Sequence, residues 1–193
     1  MAAPTTDATS TNSTKVSGST SPLTLTKPSG VVDGDLVIIV AHGDENASGI
    51  AEFDVSGFTD LFDPSVKGGT TNGASLKVLH KVASGEGANW SVSRTGGSGN
   101  WGAIAIRVSH GSGTPQIDTY ATLTSASDEG NTPGLTTGVN DCLLLRGSTW
   151  NESKTLTAVP SGTTAVQHND LSSNDGHVSQ ETVATAGVQS AKS

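Results

Sequence analysis

The chain has 193 residues and a formal net charge of −8 at neutral pH. A protein with this negative balance repels the phosphate backbones of DNA and RNA, so we expect no nucleic-acid partner. Only 33% of the residues are hydrophobic and 4% are aromatic, whereas 24 are glycine, a balance typical of short strands joined by turns rather than of packed helices.

The first 22 residues are half serine or threonine and contain no aromatic residue. Such a segment buries too little surface to offset the entropy lost on ordering, so residues 1–22 are predicted to be a flexible arm. The alternative is that the arm becomes ordered on a neighbouring subunit. The segment also lacks the basic and apolar parts of a secretion signal, and the longest apolar run, Leu36–Ala41, is too short to span a membrane. We therefore expect no signal peptide and no membrane partner.

Residues 23–193 are predicted to form one all-β domain, an antiparallel β-sandwich of the jelly-roll or immunoglobulin-like type. The prediction rests on short alternating or β-branched runs that are separated by glycine-rich turns. In the run Trp101–Ser109 the odd-numbered residues share one face, and Ile104, Ile106 and Val108 share the other. The predicted strands are Pro22–Lys27, Leu36–Ala41, Ala74–Ala83, Asn89–Arg94 and Trp101–Ser109.

Two halves of this domain, about 28–110 and 135–190, resemble each other weakly, although chance similarity in a chain rich in serine and glycine is an alternative. If the repeat is real, the halves are predicted to face each other as the two sheets of one sandwich. The second half has no counterpart of Trp101–Ser109. Either that strand is missing, or its place is filled by the N-terminal segment or by another subunit. The matching pairs are Val32–Ile38 with Val139–Leu145, and Val55–Leu61 with Pro160–Val166.

The sequence contains no pattern of catalytic residues. There is no Gly-x-Ser-x-Gly elbow, and the five histidines, at positions 42, 80, 110, 168 and 177, are scattered outside any triad pattern. We therefore expect no catalytic residue and no enzymatic activity. The single cysteine, Cys142, has no disulfide partner within the chain, and its apolar neighbours predict an inert thiol in a buried strand.

Acidic residues gather at two predicted loop ends, Asp33-Gly-Asp35 and Asp44-Glu45. Carboxylate oxygens in such places can hold Ca²⁺. The alternative, which we favour, is that Asp33 and Asp35 accept hydrogen bonds in a turn that leads into a strand. Neither an EF-hand spacing nor a zinc-binding pattern of cysteine and histidine is present, so no metal and no cofactor are expected.

The three tryptophans bear on a carbohydrate site, because exposed aromatic rings stack on sugar rings. Trp90 and Trp101 lie in alternating strands, where a large aromatic side chain usually fills the core. Trp150 stands beside a polar loop, Asn151-Glu-Ser. We expect Trp90 and Trp101 to be buried and Trp150 to be the most exposed, which leaves a surface glycan as an alternative partner.

Four motifs lie between Pro28 and His110. They are Pro28-Ser-Gly-Val-Val-Asp-Gly-Asp-Leu36, Ser56-Gly-Phe-Thr59, Ser75-Leu-Lys-Val-Leu-His-Lys-Val-Ala-Ser-Gly85 and Trp101-Gly-Ala-Ile-Ala-Ile-Arg-Val108. In these motifs the stretch resembles a β-sandwich domain common among structural proteins of tailed bacteriophages. Phe58 stands where that family usually has tryptophan, and His80 stands where it usually has another aromatic residue.

The resemblance implies a virion component, made in the host cytoplasm, whose motifs are structural. We expect a capsid decoration, or cement, protein on the capsid exterior. It would bind the major capsid protein as a homotrimer and stabilise the head by bridging capsomers. The alternatives are a receptor- or glycan-binding module of a tail fibre, or another structural protein of the tail.

Overall fold

The computed structural model describes residues 4–10, 21–45, 50–63, 65–68, 73–97, 99–109, 113, 115–124, 132–151, 158–171 and 174–192. Within these ranges the chain forms 14 strands and no helix. The strands pair antiparallel in several sheets that pack against one another. The predicted all-β sandwich class is confirmed.

The first half of the chain forms two sheets. The larger has the order β1-β9-β3-β7-β5, with β6 also paired to β7, and the smaller has the order β2-β8-β4. These strands are β1 (Thr5–Ser10), β2 (Leu23–Thr26), β3 (Leu36–Asp44), β4 (Glu52–Val55), β5 (Thr59–Asp60), β6 (Val66–Gly68), β7 (Ala74–Val82), β8 (Asn89–Thr95) and β9 (Trp101–Ser109). The strands β2, β3, β7, β8 and β9 lie where the alternating runs predict them.

The second half repeats part of this pairing pattern. Its strands are β10 (Leu135–Thr137), β11 (Cys142–Trp150), β12 (Thr164–Asp170), β13 (Asp175–Val183) and β14 (Gly187–Gln189). A three-stranded sheet, which we call the second-half sheet, has the order β11-β13-β12, and β10 pairs with β14. In the first half, β3, β7 and β5 have the same order, and β2 pairs with β8 as β10 does with β14.

The repeat extends to the hydrogen bonds of the turns. A Ser-Gly turn in each half is closed by a backbone hydrogen bond of 3.0 Å, from Phe58 N to the Val55 carbonyl and from Thr163 N to the Pro160 carbonyl. The glycines of these two turns have φ values of +81° and +78°, a region that is open to glycine and strained for other residues. The turns before β3 and β11 share two further hydrogen bonds. In the first, Gly34 N donates to the Ala83 carbonyl at 2.9 Å, and its counterpart Asp141 N donates to the Ala184 carbonyl at 3.3 Å. In the second, Gly85 N donates to Asp33 Oδ1, and its counterpart Ala186 N donates to Asn140 Oδ1, both at 2.7 Å.

Both faces of the larger sheet are buried, because β3 and β9 are apolar on both faces. Trp101 and Ala103 pack with the odd-numbered residues of β3 against the β2-β8-β4 sheet, in a cluster that also holds Phe53 and that we call the aromatic layer. Ile104 and Ile106 pack with the even-numbered residues of β3 against the second-half sheet, in a cluster that we call the aliphatic layer. The predicted alternation of faces along β9 is confirmed.

The two halves do face each other, across the aliphatic layer. Each half, however, also has a second small sheet, so the prediction that the halves are simply the two sheets of one sandwich is too simple. The physical reason lies in β3, where all nine residues are buried. A strand that is apolar on both faces needs a covering layer on each side.

The described part of the N-terminal segment pairs within the first half and not with the second half, where it was one of three alternatives for the absent strand. Residues Thr5–Ser10 of the predicted arm form β1 and pair with β9, from Thr5 opposite Ser109 to Ser10 opposite Ala105. The arm residues 1–3 and 11–20 lie outside the described residues. Within the described ranges, β11 pairs with β13 alone, and its other edge carries no strand.

Candidate functional site

The acidic residues before β3 accept hydrogen bonds in a turn. Asp33 Oδ1 accepts one from Gly85 N at 2.7 Å. Asp35 Oδ2 accepts one from Val32 N at 2.9 Å and pairs with Arg107 Nε at 2.7 Å. Because Asp35 is buried, the guanidinium of Arg107 offsets the cost of removing the carboxylate from water. The favoured prediction of turn hydrogen bonds is confirmed.

The second acidic pair, Asp44 and Glu45, is buried at the end of β3. Asp44 Oδ2 accepts a hydrogen bond from Asn100 N at 3.1 Å. Glu45 Oε1 accepts short hydrogen bonds from Ala51 N and from Ser75 Oγ. These carboxylates therefore join loops to β7 and β9. In the part of the chain that the structure describes, no group of three or more His, Cys, Asp or Glu side chains is placed to hold a metal ion.

Trp101 and Trp90 are buried in the aromatic layer, with exposed fractions of 0% and 8%, as predicted. The Trp101 ring packs against Phe53 with centroids 5.9 Å apart. Phe58 packs edge-on against Trp90, with ring centroids 5.4 Å apart. Two of the three tryptophans therefore serve the core and are not presented to a sugar.

His42 forms a buried polar site between the two halves. Its Nδ1 lies 2.5 Å from Asn174 Oδ1, and its Nε2 lies 3.0 Å from Asn169 Nδ2. A ring that donates at Nδ1 and accepts at Nε2 is neutral, and burial lowers the pKa of His42 to about 4 although the Asn174 hydrogen bond acts in the opposite direction. A Cβ atom at Gly176 would lie 2.5 Å from this ring, so the backbone of β13 packs directly against His42.

A row of rings crosses the face of the second-half sheet that points away from the aliphatic layer. Trp150 stacks on His168 with centroids 6.2 Å apart, and His168 meets His177 edge-on at the same distance of 6.2 Å. His168 Nε2 lies 3.9 Å from Asp175 Oδ2. Burial, followed by the charge of His168, lowers the pKa of His177 to about 4. Trp150 is half-buried and is the most exposed of the three tryptophans, as predicted.

A charged network fills the interior of the second half beside this row. Arg146 Nη2 lies 2.7 Å from Glu181 Oε1, and the Arg146 side chain is only 2% exposed. The same guanidinium donates to Thr132 Oγ1 at 3.1 Å and to the Ser190 carbonyl at 3.0 Å. In the repeat, Arg146 stands at the position that Ile39 has in the aromatic layer. The second half is therefore held by a paired charge where the first half has a hydrocarbon side chain.

The remaining predicted positions form no reactive site. Cys142 begins β11, but it is half-buried, so the prediction of a core thiol is wrong. Burial, followed by the Asp118 carboxylate, raises the pKa of this thiol and keeps it protonated. His80 is half-buried on β7, and His110 lies outside the described residues. Among the histidines that the structure describes, none hydrogen-bonds a serine or cysteine side chain.

A cavity of about 360 Å³ lies between the two halves at one side of the aliphatic layer. Residues of β3, β7 and β11 form its walls, and the segment 115–124, which follows β9 without regular secondary structure, lines its outer side. Gly147 leaves room on the inward face of β11. The aliphatic wall residues include Leu36, Ile38, Val40, Leu76, Leu143 and Leu145.

Sequence reasoning missed the residues that join the halves. Asn169 and Asn174 reach His42 from 127 and 132 positions away along the chain. No local pattern links residues so far apart. One signal was present, since a histidine in an otherwise apolar strand needs polar partners from another element.

The chain matches no protein-family model, no curated protein and no solved structure. No helix among the described residues is long and apolar enough to cross a membrane.

Proposed function

We propose that this chain is a decoration protein of a tailed-phage capsid. It binds the major capsid protein on the outer surface as a homotrimer and stabilises the head by bridging capsomers. The observation that carries the proposal is the open edge of β11.

The open edge has an occupied counterpart in the same molecule. In the first half, β3 lies between β7 and β9, whereas its equivalent β11 has β13 on one side and no strand on the other within the described ranges. An edge strand presents unpaired N–H and C=O groups, and a strand of another chain can pair with them. The nine residues of β11 offer a surface long enough for a full partner strand.

The sequence of β11 supports an edge that is covered in an assembly. Edge strands exposed to water usually carry lysine or proline, which hinder pairing with other chains. β11, with the sequence Cys-Leu-Leu-Leu-Arg-Gly-Ser-Thr-Trp, has neither, and its one charged side chain, Arg146, points inward to Glu181. We take the missing strand to come from a neighbouring subunit or from the capsid protein.

The phage-like motifs support a structural rather than a chemical role. The Asp33 and Ser56-Gly57 motif residues form turns, and the Trp101–Val108 motif is β9, which is buried on both faces. This use of motif residues is expected of a module that resists mechanical load.

A glycan-binding module of a tail fibre is the second candidate, and Trp150 favours it. Its side chain is half-buried, and its ring stacks on His168. One partly exposed tryptophan gives less sugar-stacking surface than the cluster that such modules use, so we place this function second.

The test is to add purified protein to phage capsids that lack it and to compare amide hydrogen exchange in the bound and free protein. We expect slower exchange at β11 in the bound protein. The matched control is β12, the opposite edge of the same sheet, where exchange should not change. Capsids stripped of the protein should also lose their heat resistance, because binding stabilises the particle by mass action.

Two outcomes would overturn the proposal. Saturable binding to host cells but not to capsids, lost in Trp150→Ala, would establish the glycan-binding function instead. Binding to capsids with no change in exchange at β11 would show that the open edge is not the contact surface.

A further inference from the structure

The cavity between the halves has the size and composition of a small-molecule site. Its volume of about 360 Å³ lies within the range of roughly 300–1,000 Å³ that is common for ligand pockets. Such pockets are mostly apolar, with a few polar groups at one place. The cavity and the proposed capsid contact share β11, but the cavity is lined by residues of β11 that face the first half, whereas the capsid role is assigned to the unpaired backbone edge of that strand.

The cavity arises from the side chains that the two halves bring together. The aromatic layer is filled by large rings such as Trp101 and Phe53, whereas the aliphatic layer is built from leucine, isoleucine and valine. Opposite them, β11 contributes Gly147, where an added Cβ would still be 3.8 Å from the nearest atom, on Val40. The space therefore runs along aliphatic walls and suits a hydrocarbon chain.

The outer side of the cavity is negative. Among the described residues, its lining includes the carboxylates of Asp118 and Asp141 and contains neither lysine nor arginine. Both carboxylates are close enough to Cys142 to act on its thiol in the same direction as burial, which raises the pKa of that thiol. An anionic head group would be repelled here, and a cationic one would be attracted.

Two aromatic rings line the same cavity. Tyr120, in the segment 115–124, is 51% exposed, and its ring lies 6.1 Å from that of Phe62. Both residues line the cavity. A ring face attracts a cation through its quadrupole, so Tyr120 and the two carboxylates favour the same kind of head group.

We propose that this cavity binds a single-chain aliphatic molecule with a cationic head group. The hydrocarbon chain lies along the walls formed by β3, β7 and β11. The head group stays at the outer side, next to Asp118, Asp141 and the Tyr120 ring. Leu123, which is 48% exposed on the same segment, is free to pack over the chain.

The test uses three probes with the same chain, decyltrimethylammonium, decanol and decanoate, each titrated into the full-length protein below the concentration at which it forms micelles. We expect affinity to fall in that order, with the cation bound on the order of tenfold or more tighter than the carboxylate. In methyl NMR spectra the bound cation should shift Leu76, Leu145 and Val178. The methyl groups of Leu25 and Val92, in the aromatic layer, should not move.

A charge-matched pair of variants locates the head group. Asp118→Asn with Asp141→Asn should reduce the preference for the cation over decanoate to about the level of decanol over decanoate. The control is Asp33→Asn with Asp54→Asn, which changes the net charge equally at exposed carboxylates outside the cavity. Asp33 is a close match for Asp118, because each accepts a backbone N–H bond of 2.7 Å.

Several results would overturn the proposal. These are the absence of saturable binding by any probe, decanoate binding as tightly as the cation, and equal loss of preference in both double variants. Shifts at Leu25 and Val92 in place of the cavity methyl groups would do the same. None of these results depends on whether the protein binds capsids, so the two proposals fail separately.

Discussion

At the scale of single residues, the buried surroundings of His42 determine the pKa of its ring. The ring is buried on β3, two residues before the end of the strand, and both nitrogens have amide partners from the second half. In the unfolded chain the pKa of histidine is near 6.5, whereas burial lowers that of His42 to about 4 in the fold. Between these values the unfolded state binds a proton that the folded state does not, so stability present above pH 6.5 is lost as the pH falls toward 4.

We predict that the titration of His42 lowers the free energy of unfolding by roughly 3 kcal/mol as the pH falls from above 6.5 to below about 4. In His42→Gln the side chain keeps an amide for Asn169 and Asn174 but does not titrate, so its stability should vary less with pH. Urea denaturation at a series of pH values measures the difference. His80→Gln, at a half-buried position on β7, is the control and should flatten the profile less. Equal pH dependence in wild type and His42→Gln would show that other groups set the acid sensitivity.

At the scale of elements, the second-half sheet packs closely against His42 but loosely against Val40, which lies two residues before it on β3. Both contacts involve a glycine on the inward face of that sheet, Gly176 on β13 and Gly147 on β11. A Cβ at Gly176 would lie 2.5 Å from the His42 ring, whereas one at Gly147 would find its nearest neighbour at 3.8 Å. The same substitution is therefore expected to have opposite consequences at the two sites.

Gly176→Ala should lower the free energy of unfolding by about 1–3 kcal/mol, because an added methyl group overpacks the contact with His42. Gly147→Ala should leave stability unchanged or raise it slightly, because it removes glycine's freedom in the unfolded chain without a clash. Thermal and urea denaturation of both variants measure the effect. If the two substitutions cost the same, the close contact between β13 and His42 is not a feature of the protein in solution.

At the scale of the whole molecule, the two halves differ in how they are held. The first half has two apolar layers around β3, whereas the second half has one apolar face and an interior built around the Arg146–Glu181 pair. Paired buried charges contribute little net stability once the cost of desolvation is counted. The second half should therefore open more easily than the first.

We predict that amides of β3 and β9 exchange with solvent only through global unfolding, whereas those of β12 and β14 exchange through local opening. Native-state hydrogen exchange in increasing urea distinguishes the two, because only global opening depends steeply on denaturant. β8 and β13 each lie in the middle of a three-stranded sheet, so a difference in exchange between these two strands does not come from their position in the sheet. A single exchange free energy across both halves would contradict the prediction.

The sequence by itself determined the local features. Alternation along Trp101–Ser109 predicted which residues share each face of β9, and the Asp33-Gly-Asp35 sequence predicted a turn, because these structures depend on neighbouring residues. The weak repeat also predicted that two similar halves face each other.

Only the tertiary structure decided which strands pair and what lies between them. The attachment of β1 to β9, the open edge of β11 and the cavity at Gly147 all follow from contacts between distant parts of the chain. So do the partners of His42, of which the farther is 132 positions away. The alternation of apolar and polar residues along a strand predicts which face is buried. It does not predict which strand lies beside it, because the backbone N–H and C=O groups that pair strands are the same for nearly every residue.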